Sequence, residues 1–155
     1  MILCYLTHDT IFYWVHSTAH YSSETFPLYK WFHKMHHDFK YSVSFNAAYA
    51  HPIEHLFVAR LTFLACPMIL GSKMHFSTMR VAGLCFLIDS LDIHSGYHFP
   101  WVFTSNLPFA GGAEYHDYHH SANFGTYGAD LTVWDCVFNT NKAFYSNITA
   151  EAEEE

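Results

Sequence analysis

The chain has 155 residues, enough for one domain with a core of its own, and it is read as a single unit over 1–145 followed by an acidic tail, 146–155, expected to be disordered. Hydrophobic residues make up 51% and aromatics 19% of it, whereas charged residues are only 14% against the usual quarter or so, a balance that favours lipid or a very apolar core. With 7 Lys plus Arg and a formal charge of -7 there is no basic patch to neutralise phosphates, which argues against a nucleic-acid partner.

Ile2 to His20 carries apolar and aromatic residues at helical spacing with no Pro or Gly, and predicts one helix. Its start, MILCYLTHDT, has neither the basic flank nor the small-residue site of a signal peptide. Ser22, Ser23 and Pro27 mark a turn, after which Leu28 to His37 predicts a second helix. Two apolar stretches follow, Ile53 to Leu70, broken by Pro67 and closed by Gly71, and Met79 to Ile93. Each is short or interrupted for a clean span of about 20 apolar residues, so together they predict a membrane hairpin around Gly71-Ser72-Lys73, an interfacial pair, or the buried hairpin of a soluble protein. Beyond His98 the Pro and Gly content predicts loops, with short helices only at His116 to His120 and Leu131 to Phe138. Cys4, Cys66, Cys85 and Cys136 have no CxxC spacing and read as buried free thiols.

The chemistry lies in the 14 histidines. HSTAH places His16 and His20 at i, i+4; HKMHH places His33, His36 and His37 at i, i+3, i+4; HSGYH gives His94 and His98; HDYHH repeats the triplet as His116, His119 and His120. On a helix such spacings put the rings on one face, so each group predicts a row of ligands. Neutral imidazoles buried in so apolar a chain each need a partner, and a metal would satisfy them together. One tetrahedral zinc takes at most four, so this many His predicts two ions, with iron favoured. Asp9, Asp38, Asp92 and Asp117 are candidates to orient the rings, or are ordinary helix-end carboxylates. His55 and His75 read as satisfied core residues. A zinc hydrolase of the HExxH kind would need a Glu that HSTAH lacks.

HDTIFYWVHSTAH, FHKMHHDF, AHPIEH, DIHSGYHFPW and AEYHDYHHSANFGTYGADLTVWDCVFNT resemble, in order and spacing, the fatty acid hydroxylase/sterol desaturase superfamily, and within it the C-4 methylsterol monooxygenases. The resemblance implies an all-α integral membrane protein of the endoplasmic reticulum, with helical hairpins beneath a histidine-rich cap facing the cytosol and without the family's N-terminal helices. It implies a non-haem diiron centre, electrons from NAD(P)H through cytochrome b5 and its reductase, and oxidation of the C-4 methyl group of a sterol precursor. Another sterol or lipid hydroxylase or desaturase, or an inactive metal-binding remnant, are the alternatives. The expected metal residues are His16, His20, His33, His36, His37, His94, His98, His116, His119 and His120, with His8 and His51 nearby. Three positions depart from the family pattern: Ser17 stands where Arg is usual, His98 where Asp is usual, and Tyr115 where a further His is frequent.

Overall fold

The computed structural model describes residues 1–21, 23–102 and 104–154, without the side chains of Glu151 and Glu154; the turn residue Ser22 lies outside these. Among the described residues the chain is helical with no strand, and one antiparallel bridge joins Ala110 to Leu131. Helix α1 runs Ile2–His20, as its uninterrupted apolar spacing predicts. The expected second helix is broken into a π-helical turn, Tyr29–His33, and a 3-10 turn, His36–Asp38. His33 thus lies at the end of a wide turn, and His36 and His37 lie in a tight one.

From Pro52 the chain stays helical to Leu70, through α2 (Pro52–Glu54), a π-helical stretch (His55–Leu61) and α3 (Thr62–Leu70). Pro67 sits inside α3, so the expected break there is absent, and the helix ends at Gly71, whose φ of +53° an L side chain rarely adopts. Pro52–Lys73 is long and apolar enough to cross a membrane, by length and composition. α4 (Phe76–Ile93) returns, capped by the His75 ring, which accepts from Ser77 N at 3.2 Å. α5 (Gly112–Ala122) and α6 (Val133–Phe138) complete the expected set. A further helix, α7 (Lys142–Glu154), extends through most of the tail expected to be disordered, with Phe144 buried against Tyr115 and Tyr118.

α1 packs on α3, and α4 closes the group around Cys4, Cys66 and Ala82, with Phe63, Leu70, Met74 and Phe86 at its edge. The Cys4 and Cys66 sulfurs are 3.2 Å apart as free thiols, whereas Cys136, expected to be buried, is exposed. Beyond Tyr13, Ile93, Tyr115, Leu131 and Phe144, the rest of the interior is largely polar, with His, Asp, Asn and Thr side chains buried, while Leu56, Phe57, Leu64, Met68, Ile69, Val81, Leu84 and Leu87 face outward. A water-soluble domain distributes its residues the other way round, and an apolar exterior of this extent marks a surface for lipid or for another protein.

Candidate metal centre

Nine of the ten expected ligands converge. His16, His20, His33, His37 and His119 form one group, and His36, His94, His116 and His120 a second, with one donor atom of each residue within 4.8 Å of all the others in its group. α1 supplies His16 and His20 from successive turns of one face, as i, i+4 spacing requires. The triplets behave otherwise than expected, since neither contributes a single row. HKMHH gives its i, i+4 pair, His33 and His37, to the first group and its middle histidine, His36, to the second; HDYHH gives His116 and His120 to the second and His119 to the first. His94, the residue that caps α4, completes the second group.

His98 joins neither group and is exposed. α4 ends at Ile93 and the chain turns at Gly96, with φ of +72°, so the i, i+4 relation of His94 and His98 is not a helical one. His8 pairs with Asp130 at 3.3 Å and stacks on Phe86, and His51 accepts from Ile53 N, so both stand outside the groups as expected. His75 is an exposed helix cap rather than a core residue, and His55 borders a cavity beside the second group.

Within each group the rings meet through Nε2. The contacts are 3.2 Å for His16 with His33, 2.7 Å for His20 with His33, 3.0 Å for His33 with His37 and 3.1 Å for His20 with His119. In the second group His36 meets His94 at 3.4 Å, His94 meets His116 at 2.9 Å and His116 meets His120 at 3.2 Å. The opposite nitrogens of His16, His33, His36, His94 and His119 are fixed elsewhere, whereas Nδ1 of His37, His116 and His120 is buried with no hydrogen-bond partner among the described residues. Nδ1 donates to the carbonyl of Tyr127 from His16, of Tyr49 from His36, of Ser90 from His94 and of Gly125 from His119. A carbonyl can only accept, so those four rings carry their proton on Nδ1 and present a lone pair at Nε2. His36 and His94 therefore turn two lone pairs toward each other at 3.4 Å, a repulsive arrangement that a shared cation converts into coordination.

Burial enforces the neutral form that ligation needs. Desolvation holds His36 down at about 4 and His94 at about 3, and depresses His33, His116 and His119 well below the ordinary imidazole range. All nine donors are imidazoles, a set suited to iron, zinc, copper or nickel and poorly matched to magnesium or calcium. The residues present thus fit a pair of borderline transition-metal ions.

None of the four aspartates considered as ring-orienting partners bonds to a ligand histidine. Asp9 accepts from Leu131 N, Asp92 from Ser105 and Asp117 from Ser42 N, and Asp38 is exposed. Their place is taken by the four carbonyls and by Glu54, whose Oε1 accepts from His33 Nδ1 at 2.5 Å. Glu54 was legible only as part of AHPIEH; its position three residues beyond His51 gave no sign of where the carboxylate would point. Asp135, fully buried, accepts from Tyr127 N, Gly128 N and Thr140 Oγ1, and so fixes the loop that brings the Tyr127 and Gly125 carbonyls to the site.

Two cavities adjoin the groups. A small one lies against His16, His36, His94 and His116. A larger one, about 490 Å³, lies between α1 and the start of the long helix, is walled by Trp14, Phe32, Ile53 and Phe57, and reaches His33 and Glu54. Its volume and apolar walls are those of a small-molecule site.

The fatty acid hydroxylase family model matches residues 1–140. A Dictyostelium discoideum protein whose name assigns it provisionally to the methylsterol monooxygenases is 36% identical over 149 residues, 96% of this chain and 53% of its own length. Very-long-chain aldehyde decarbonylase GL1-8 of Oryza sativa subsp. indica is 34% identical over 157 residues, 99% of this chain and 56% of its own. Methylsterol monooxygenase 1 of Danio rerio is 33% identical over 147 residues, 91% of this chain and 46% of its own. The chain spans about half the length of these relatives. No solved structure matches.

Proposed function

We propose, from the premise that the chain belongs to the fatty acid hydroxylase family, that it is the histidine-bearing catalytic part of a membrane-bound non-haem diiron monooxygenase acting on a sterol precursor at its C-4 methyl group. The observation that carries the reading is the convergence of nine Nε2 atoms in two adjacent groups. His16, His20, His33, His37 and His119 would hold one iron, and His36, His94, His116 and His120 the other. Iron bound there would supply the activation of O2 and the oxidation of an unreactive C–H bond, with electrons from NAD(P)H by way of cytochrome b5 and its reductase.

The remaining work belongs to the chain. The carbonyls of Tyr127, Tyr49, Ser90 and Gly125 hold the ligand rings at fixed angles, and Glu54 does the same for His33. Trp14, Phe32, Ile53 and Phe57 offer an apolar ring system a wall that leads to His33. The outward apolar faces of α3 and α4 suit the endoplasmic reticulum membrane, with the histidine groups in a cap on its cytosolic side.

A very-long-chain aldehyde is a second substrate class, favoured by the rice relative at 34% identity and by a cavity that would admit an acyl chain as well as a ring. The test is expression with iron in a strain deficient in sterol C-4 demethylation, with metal analysis of the detergent-purified chain. About two iron ions per chain and restored removal of the C-4 methyl are expected from the two groups. A single tight zinc with no oxidised lipid would overturn the reading, and conversion of a long-chain aldehyde would select the second.

A further inference from the structure

The two histidine groups differ in their surroundings. Among the described residues no Tyr or Trp ring contacts the second group, whereas two tyrosines lie against the first: Tyr29, its ring centroid 5.4 Å from His20, 5.9 Å from His37 and 6.0 Å from His33, and Tyr127, 5.2 Å from His20, 5.8 Å from His119 and 5.9 Å from His16. The Tyr127 backbone carbonyl is also the acceptor for His16 Nδ1, at 2.9 Å. From Tyr127 the next ring in the series is Tyr13, at 6.3 Å, and Tyr13 is in turn 6.4 Å from Trp134 and 5.6 Å from Trp14. Tyr13 is buried; Trp14 is 49% exposed. The rings thus make an unbroken series from a ligand-bearing group to the surface, composed of the two side chains that lose an electron most readily. Tyr13 has somewhere to put its phenolic proton, because its hydroxyl meets Thr140 Oγ1 at 3.3 Å and Thr140 donates to Asp135.

We propose that Tyr127, Tyr13, Trp134 and Trp14 form a one-electron path that carries oxidising equivalents away from the first histidine group when no lipid is in place to consume them. The proposal rests on the metal reading above. In it, an oxidant generated at the metal site from peroxide is reduced by one electron, and Trp14 is oxidised. The Trp14 indole proton leaves to solvent, and a hydrogen-atom donor such as ascorbate restores the ring. Tyr127 and Tyr13 pass the electron inward and end unchanged, the Tyr13 proton moving toward Thr140 and back. The damage that would otherwise fall on the ligand imidazoles falls on a replaceable surface ring.

The full chain, loaded with iron in detergent and given peroxide without lipid, tests this by peptide mass spectrometry and by electron paramagnetic resonance of freeze-quenched samples. Expected are oxidation at Trp14 and Trp134, loss of that oxidation in Tyr127→Phe and Tyr13→Phe with a rise at His20 and His119, and neither effect in zinc-loaded protein. Ring-deuterated tyrosine and tryptophan incorporated into the unaltered chain should narrow the radical signal, which keeps the test independent of how the variants fold. Unchanged oxidation in both variants, equal oxidation with zinc, or a radical signal indifferent to deuteration would overturn the path. Iron analysis of the same samples separates the failures: bound iron with damage confined to the ligands sinks the path alone, and absence of bound iron sinks the metal reading with it.

Discussion

Glu54 meets His33 Nδ1 through Oε1; its second oxygen, Oε2, is buried without a hydrogen-bond partner among the described residues. A carboxylate that has given up water to hold one imidazole contributes by fixing that ring, so Glu54→Ala should leave the other eight ligands in place and weaken metal binding by about 10- to 100-fold, measurable by chelator competition. Protonation acts on the same rings from another side. His36 and His94, held by burial at about 4 and 3 in the folded chain, titrate at the ordinary imidazole value once unfolded. The unfolded chain therefore binds more protons between about pH 6.5 and these lowered values, and the metal-free protein should lose stability as pH falls through that window while gaining little above it. Thermal unfolding in detergent across about pH 3 to 7, the range those values bracket, checks the sign.

At the level of elements, the loop after α5 does more for the site than its length suggests. Gly125 has φ of +74°, a Cβ there would sit 2.4 Å from the Thr140 carbonyl, and its own carbonyl accepts from His119 at 2.7 Å. Gly125→Ala should cost about 1–3 kcal/mol from the backbone conformation alone, with the clash in addition, and should reduce metal retention because His119 loses its anchor. Such a loop is invisible in sequence for a plain reason: the Tyr127 carbonyl serves His16 across 111 positions, and no periodicity encodes that contact. α1 and α4 were legible because apolar spacing alone decides the outcome there. The HKMHH segment shows the opposite case, since its spacing fits one helix while ligand geometry is met by a π-helical and a 3-10 turn. Nine of the ten positions expected from the motifs fall in the two histidine groups, whereas His98 could not be excluded without knowing that α4 stops at Ile93.

For the whole molecule, polar residues line the interior and apolar ones the exterior, and the histidine groups sit where α1, the HKMHH turns and α5 meet. The proposed cap on the cytosolic face would keep Asn147, Ile148 and Thr149 on α7 away from the glycosylation machinery, so Asn147 should carry no glycan when the chain is expressed in microsomes, and a glycosidase-sensitive mass shift would overturn that orientation. The interchange of middle histidines between the triplets has a consequence for how such a centre assembles. An ion taken up by the first group orders both turns of HKMHH and the body of α5, and in doing so sets His36, His116 and His120 in position for the other. Loading should accordingly be cooperative: a metal titration should rise sigmoidally, the half-filled chain should be scarce at every ratio, and substitution of His119 should lower the affinity of the group to which it does not belong.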